Sequence, residues 1–562
     1  MIIYKLLYAI VIFSFLYIIM ASICDYHDSN QKKLKTHYVP LLQTFMMDNT
    51  NYSKFKQAYN ESSLNMIEEP SYCIESDTLK LLHPDILLED KYIVRELDRG
   101  NLQREIIKKR MFDSIQNLSP LNRLEPQTKF QHRVPPQLSY FYTYKPRLQD
   151  NYYLGQGLGC MFQKFNHIPG LYSLASKNSL IYNYAKYIYD MKMRNVSKQC
   201  IQNASYVPHT LRLNVKQECQ QFFKKLTQLQ NDYKNNVKMY NGPEYLLKTD
   251  EHRGEGIRLL FQSQMENITE VYQNGEKCGN ITEKIVAQKY INRPFLYKGH
   301  KIEFRIYIYL ASSNPLQLYV YRRALIKRCA NEYNPLSEQI PAHICNTAVT
   351  EKTHKNQTNQ GEGGLESEDE EMFIDWNLEG IEELLIEQGR ISKKQRWLQE
   401  YLYPRIYSKI IHTIRSGQYS FYKDSRFSEF LAIDFLLDYE LDIWLLEINY
   451  NPQILSVTPD RIKRNYKMIE DTVEIAFAYL KSKYKRIKEF IQQELYNYKH
   501  SGNRIRQVDF KNKFGNKFNQ LLEDTSIEQE FSISPDNLYT HIIDESKSGK
   551  DKYFNLIEEE CL

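Results

Sequence analysis

Two short apolar runs, Phe430 to Leu437 and Ile443 to Ile448, are separated only by the polar stretch Asp438 to Asp442. Both are rich in β-branched, aromatic and leucine side chains and are bounded by turn-forming residues, so they predict a strand pair. Side chains alternate across a strand, which puts Glu447 and Asn449, two positions apart, on one face. Asp434 sits inside the partner run. Three oxygen-bearing side chains can therefore converge on one patch of an otherwise apolar sheet. Burying them is costly unless a cation or a hydrogen-bonding partner compensates, and a magnesium ion bridging phosphates is a usual occupant of such a corner. The bland reading is a hairpin whose polar residues face water.

The rest of the chain must supply what such a corner needs. With 562 residues, 42% hydrophobic and 25% charged, the composition is that of a globular protein of two or three lobes and argues against wholesale disorder or a multi-span membrane protein. A net charge of +5 is too small to name a polyanionic partner, and no nucleic-acid partner is expected. The nine cysteines (Cys24, Cys73, Cys160, Cys200, Cys219, Cys278, Cys329, Cys345, Cys561) contain no CxxC pair and no Cys/His cluster. No zinc site is expected, and the odd, dispersed count fits reduced thiols better than a disulfide framework.

Leu6 to Cys24 carries no charge and is long enough to span a bilayer as a helix. It exceeds the roughly 7 to 15 apolar residues of a usual cleaved signal, and both readings, signal peptide and membrane anchor, stay open. Lys5 on one flank faces Lys32, Lys33 and Lys35 on the other, which leans an anchored form toward a cytosolic body. Sequons at Asn51, Asn60, Asn117, Asn195, Asn203, Asn267, Asn280 and Asn356 would permit glycosylation in a lumen, although an Asn-rich chain produces such triplets by chance.

Upstream of the corner, Tyr245 to Lys248 predicts a short strand ending in a lysine, followed by the turn Arg253-Gly254-Glu255-Gly256-Ile257, whose backbone N–H groups can close over phosphates. Ile285 to Ile291, including Gln288, Lys289, Tyr290 and Ile291, predicts a strand running into a linker. Lys301 to Leu310 and Leu316 to Tyr321 predict two more strands, the first with Lys301, Glu303 and Arg305 on one face. Leu398 to Ile414 and Arg464 to Tyr484 predict helices, with Pro404 marking a kink or a late first turn in the former.

From about Asn166 to Asn451 these parts, in this order, resemble the tubulin-tyrosine-ligase-like family. Asn166-His-Ile-Pro-Gly170 with Lys177 is similar to its entry segment, Lys248 with Arg253 to Ile257 to its phosphate-binding strand and loop, and Gln288 to Ile291 to its adenine linker. Lys301 and Glu303 stand where the family has nucleotide-contacting Lys and Asp, and His343-Ile-Cys-Asn346 resembles its His-Leu-Thr-Asn segment, with Cys345 in place of Thr. Asp434, Glu447 and Asn449 fall on its magnesium ligands, and Lys327, with Arg328 beside it, on the arginine that grips the incoming amino acid.

The resemblance implies an α+β, ATP-grasp fold with N-terminal, central and C-terminal lobes, and ATP and Mg²⁺ as cofactors. With the sequence pattern outside that span, the expected divisions are a signal or anchor over 1–24, an extension of unknown role over 25–150, lobes over 151–240, 241–335 and 336–484, and a basic helix with a polar tail over 485–562. It also implies an acyl-phosphate ligase that adds glutamate or glycine to carboxylates of an acceptor protein, with Arg305 and Glu447 catalytic and acidic tubulin tails the family's acceptor. The basic stretch Lys481 to Lys488 offers a surface for such tails. Two alternatives are a silent nucleotide- or microtubule-binding protein and a luminal ligase for a secretory protein, so the compartment is open between membrane-anchored cytosolic, cytoskeletal or ciliary, and luminal.

Overall fold

The computed structural model describes residues 93–96, 139–142, 163–249, 256–345, 373–374, 378–450, 452, 459–490, 493–494, 516–517, 520–521 and 523–547. The apolar segment 6–24, Arg253, Gly254 and Asn346 lie outside them. Among the described residues no helix is long and apolar enough to cross a membrane.

The molecule is mixed helix and sheet. A small parallel sheet joins β1 (Ile93–Glu96), β2 (Ser139–Tyr142) and β3 (Gln163–Phe165). Helix α1 (Lys177–Met193) follows, then β4 (Thr210–Arg212), α2 (Lys216–Lys234), β5 (Tyr245–Lys248), β6 (Ile257–Leu259), α3 (Gln262–Val271) and β7 (Val286–Lys289). These four strands form an antiparallel sheet in the order β4-β7-β5-β6. One face, with Leu211, Tyr245, Leu247 and Ala287, packs on Phe222, Phe223, Leu226 and Met265 of α2 and α3. Alternation turns Leu246 and Lys248 to the other face.

The larger sheet is antiparallel and runs β11 (Phe373–Ile374), β10 (Leu316–Arg328), β9 (His300–Ser313), β12 (Glu429–Leu437), β13 (Ile443–Asn449). A short strand β8 (Leu296–Tyr297) pairs with β9, and β14 (Tyr539–Asp544) pairs with β10. Ile302, Phe304, Ile306 and Ile308 of β9 and Leu431, Ile433 and Phe435 of β12 meet Ile406, Ile410 and Ile414 of the helix Tyr403–Gly417 in the main core. Each such fully buried aliphatic side chain contributes about 2 kcal/mol. Pro404 sits at the start of that helix, directly after a π-helical turn over Leu398–Leu402, an irregularity of the kind that accommodates a missing N–H. At its far end Gly417 lies against the Leu174 side chain, which a Cβ at this position would strike.

The opposite face of β9 is divided in two. Tyr307 and Tyr309 pack under Met468, Ile475, Ala476 and Tyr479 of the long helix Pro459–Phe490, while Lys301, Glu303 and Arg305, on the same side of the strand, lie beyond its cover. One strand thus builds core with half its length and presents charge with the rest.

The structure corrects two readings of the sequence. Cys219 pairs with Cys278 and Cys329 with Cys345, and Cys200 is disulfide-bonded as well, so these thiols are not free. The partners are 59 and 16 residues apart in sequence, and only folding sets them side by side. The basic stretch after residue 480 is not an open surface either. Lys483 is buried, Arg486 lies 3.1 Å from both Asp524 and Glu528, and Lys485 lies 3.1 Å from Glu530. The chain's own acidic segment pairs with it on the way to β14, whose Ile542 and Ile543 enter the main core.

His412, 1% exposed, contacts the Tyr187 hydroxyl of α1 at 2.8 Å through Nδ1. Burial, reinforced by Lys409, lowers its pKa from 6.5 to about 4. A histidine depressed in the folded state contributes stability that is complete above about pH 6.5 and is lost as the pH falls toward 4. Acidification across that window is expected to remove up to about 3 kcal/mol through this residue. His412→Asn should flatten the urea-unfolding midpoint against pH; an unchanged slope would refute the assignment.

Candidate active site

The predicted corner forms on the face of the large sheet that carries Lys301, Glu303 and Arg305. Asp434 stands opposite Arg305 on β9 and opposite Glu447 on β13. Arg305 donates to it twice, from Nε to Oδ1 at 2.6 Å and from Nη2 to Oδ2 at 2.7 Å, and Lys327 Nζ donates to Oδ2 at 2.8 Å. Asn449 Nδ2 is 3.4 Å from Asp434 Oδ2 and 3.3 Å from Glu447 Oε1. Burial opposes the charge on Asp434, but Arg305 and Lys327 override it and hold the carboxyl well below the usual carboxylate range. Burial likewise opposes the charge on Arg305, and Asp434 overrides it to hold the guanidinium above its ordinary value. The polar-hairpin reading therefore fails: Asp434 is 2% exposed and tightly paired.

A bulge follows in β13. Asp434 pairs with Glu447 and Phe435 with Leu445, so Leu446 has no ladder partner on β12. Its carbonyl accepts from Lys248 Nζ at 3.3 Å, which ties the end of β5 in the small sheet to the corner in the large one. Burial pulls the Lys248 ammonium down to about 8; Glu447 opposes the shift, while Lys177, which opens α1, adds to it. Gly256 closes the turn after Lys248 by accepting from the Thr249 N–H at 2.9 Å.

Lys301 lies 3.5 Å from Glu303 Oε1 and donates to the His343 carbonyl at 2.7 Å. Its ammonium also lies 5.1 Å from the centre of the Tyr290 ring. Burial lowers the pKa of His343, against the hydrogen bond to Ser337, which raises it. Nε2 donates to the Ser337 carbonyl at 2.6 Å, which leaves Nδ1 to accept from the Tyr290 hydroxyl at 3.0 Å. This histidine fastens the linker that leaves β7 to the loop after β10. The Cys329–Cys345 bond closes the same loop, with the Cys329 N–H donating to the Lys301 carbonyl at 2.9 Å. Cys345, a departure from the family's threonine, thus has a structural partner.

Not every predicted residue reaches the cleft. Gln288 is buried and donates to Thr210 Oγ1 at 3.0 Å on the sheet face shared with Leu246. Lys289 stands opposite Tyr245 on the other face, where its side chain is exposed, so only its main chain borders the cleft. Lys327 stands opposite Glu303 and reaches Asp434, but Arg328 stands opposite Ile302 and points to the other side of the sheet. Adjacent residues in a strand cannot grip one ligand from the same face. Sequence reasoning also missed Glu429, a buried carboxylate that contacts His167 Nδ1 at 2.8 Å and accepts from the Ile168 N–H at 2.9 Å. Burial raises its pKa. It docks the segment leading to Lys177 onto β12, and the polar residue ahead of an apolar strand was its only signal.

Among the described residues no three His, Cys, Asp or Glu side chains gather around one point. The corner is instead two carboxylates and an amide, all hard oxygen donors, and Mg²⁺ commonly takes one or two carboxylates together with water and phosphate oxygens. The donor set fits that ion.

The model of the tubulin-tyrosine ligase family matches residues 158–485. A probable beta-tubulin polyglutamylase of Tetrahymena thermophila is 26% identical over 362 residues, 62% of this chain and 27% of that protein. Mouse tubulin polyglutamylase TTLL7 is 26% identical over 302 residues, 52% of this chain and 29% of that protein. The chain thus spans less than a third of the length of either relative. Among solved structures, the C-terminal domain of K. lactis Pby1, titled an ATP-grasp enzyme interacting with the mRNA decapping enzyme Dcp2, aligns with TM-score 0.44 and 15% identity over 69% of this chain and 94% of that one. Because the family model matches more than half of the 562 residues, the chain belongs to the tubulin-tyrosine ligase family.

Proposed function

We propose that the chain is an ATP-dependent ligase of ATP-grasp type that joins the amine of a free amino acid to a carboxylate of an acidic polypeptide. The observation that carries this reading is the meeting of Lys248, from the four-stranded sheet, with the strand of the seven-stranded sheet that carries Glu447 and Asn449 beside Asp434. A nucleotide between the sheets has Gln288, the Lys289 main chain, Tyr290 and Ile291 for its base, Glu303 for its ribose, and Lys177, Lys248 and Lys301 for its phosphates. Asp434, Glu447 and Asn449 would hold Mg²⁺, which would neutralise phosphate charge. Arg253, Gly254, Gly256 and Asn346 complete the nucleotide contacts by family resemblance.

In the first step an acceptor carboxylate oxygen bonds to the γ-phosphorus as the bond to ADP breaks. In the second the amine attacks the resulting acyl phosphate, phosphate leaves, and the amine proton passes to solvent. No side-chain nucleophile is needed, so Arg305 and the lysines act by position and charge. Lys327 receives the carboxylate of the amino acid as a point charge, without the fork of an arginine.

The names of the relatives make glutamate the first amino acid to test and tubulin the first acceptor. Offered ATP, Mg²⁺, tubulin and labelled glutamate, glycine or tyrosine, the full chain is expected to incorporate glutamate. Binding of Mg-ATP with no incorporation of any of the three would overturn the ligase reading in favour of a silent nucleotide-binding protein. Lys248→Met removes a charged hydrogen-bond donor and is expected to raise KM for ATP by roughly ten- to a hundredfold, measured by ADP release.

A further inference from the structure

Disulfides persist in oxidising compartments and are rare in the cytosol. This chain buries two of them in its folded core: Cys219 of α2 is linked to Cys278 within the layer behind the small sheet, and Cys329 to Cys345 beside Lys301. The Cα atoms of the first pair are 5.7 Å apart, in the middle of the range the bond requires. Cys200 is bonded too. A second and independent observation comes from the sequons. Asn195, Asn267 and Asn280 each precede a Ser or Thr by two positions, and all three are exposed.

Their placement is compatible with a bulky adduct. Asn195 lies in the turn just after α1. Asn267 is on α3, two residues from Met265, which packs into the layer covering the sheet face turned away from Lys248, and Asn280 follows Cys278 in the same layer. None of the three takes part in the cleft. Asn203, half-buried and accepting from Gln199 at 3.1 Å, does not share this freedom.

We propose that the chain matures in the secretory pathway, with its cysteines oxidised and N-linked glycans on Asn195, Asn267 and Asn280. Each disulfide forms as two thiols give two protons and two electrons to the disulfide-bearing oxidants of that compartment. Each glycan transfer joins the Asn amide nitrogen to C1 of the sugar and breaks the C1–O bond to a lipid-linked diphosphate donor. The carrier diphosphate leaves, and the amide proton goes to base. In sequence, the uncharged run Leu6 to Cys24 is the kind of segment a translocon accepts. The modification itself does not rest on the ligase reading.

The test expresses the full chain, C-terminally tagged, in cultured eukaryotic cells, with thiols alkylated at lysis. Peptide-N-glycosidase digestion in heavy-oxygen water marks each occupied Asn as labelled Asp, and non-reducing peptide mapping reports the cysteine links. The expected result is label at Asn195, Asn267 and Asn280, a linked Cys219–Cys278 peptide, and loss of the glycosidase mobility shift from these sites in the Asn195→Gln, Asn267→Gln, Asn280→Gln variant. Because the three side chains are exposed, that variant keeps the fold. Three unlabelled sequons overturn the proposal whatever the thiols show, and freely alkylated Cys219 and Cys278 overturn it as well. ATP turnover by the same preparation is scored separately, so either reading can fail alone.

Discussion

Glu447→Gln is expected to lower turnover by about three orders of magnitude while leaving the urea-unfolding midpoint unchanged. Glu447 is only half-buried, and the hydrogen bond it accepts from Asn449, at 3.3 Å, is long. The amide keeps the shape of the carboxylate and can still serve that bond. What it loses is the negative charge that, on the proposed reading, would share a divalent cation with Asp434 and Asn449. Steady-state kinetics with ATP, alongside the unfolding curve, checks both halves; a variant that retains more than a tenth of its activity would remove Glu447 from the metal corner.

Asp434→Ala is expected to be the most damaging substitution to the fold as well as to turnover, at about 3 to 5 kcal/mol. The two residues share the proposed metal corner yet differ in what each does for the fold. Asp434 is 2% exposed and compensates both Arg305 and Lys327, so its removal leaves two cations facing each other in a poorly hydrated corner. Denaturant unfolding of the variant measures the cost. A midpoint equal to that of the parent would mean that water reaches Arg305 freely, and that the corner is more open than its burial indicates. Comparison with Glu447→Gln separates an electrostatic duty to the fold from one reserved for the ligand.

Much of this arrangement was legible along the chain because it is carried by local rules. The predicted strand 301–310 lies within His300–Ser313 and the predicted strand 316–321 within Leu316–Arg328, since β-branched and aromatic runs with short polar breaks fit few other conformations. Period-two alternation put Lys301, Glu303 and Arg305 on one side before any neighbour was known. The same rule, applied to Lys327 and Arg328, would have separated them, and Lys289 from Gln288. Those adjacent pairs came from motif register, and the pleat divides them.

The rest was not local. Glu429 and His167 are 262 residues apart, His343 and Tyr290 are 53 apart, and no spacing rule connects either pair. The basic run after residue 480 carried no sign that Asp524, Glu528 and Glu530 return to pair with it, because ion pairing follows spatial proximity and charge composition does not record it. The cysteines misled for the same reason: a disulfide framework announces itself by spacing in small stapled domains, whereas here Cys219 and Cys278 join within a core built by apolar packing.

Taken by itself, the sequence determined that Asp434, Glu447 and Asn449 would stand together on a strand pair, because two strands joined by a tight turn have little choice of register. It also determined the order of the parts that belong to the tubulin-tyrosine ligase family. Only the tertiary structure decided that Asp434 is held by Arg305 and Lys327, that the Leu446 bulge brings Lys248 to the corner, and which cysteines are bonded. Each of those depends on strands and loops far apart in the chain being brought within about 3 Å, a distance set by packing and hydrogen-bond geometry and not by the local pattern of side chains.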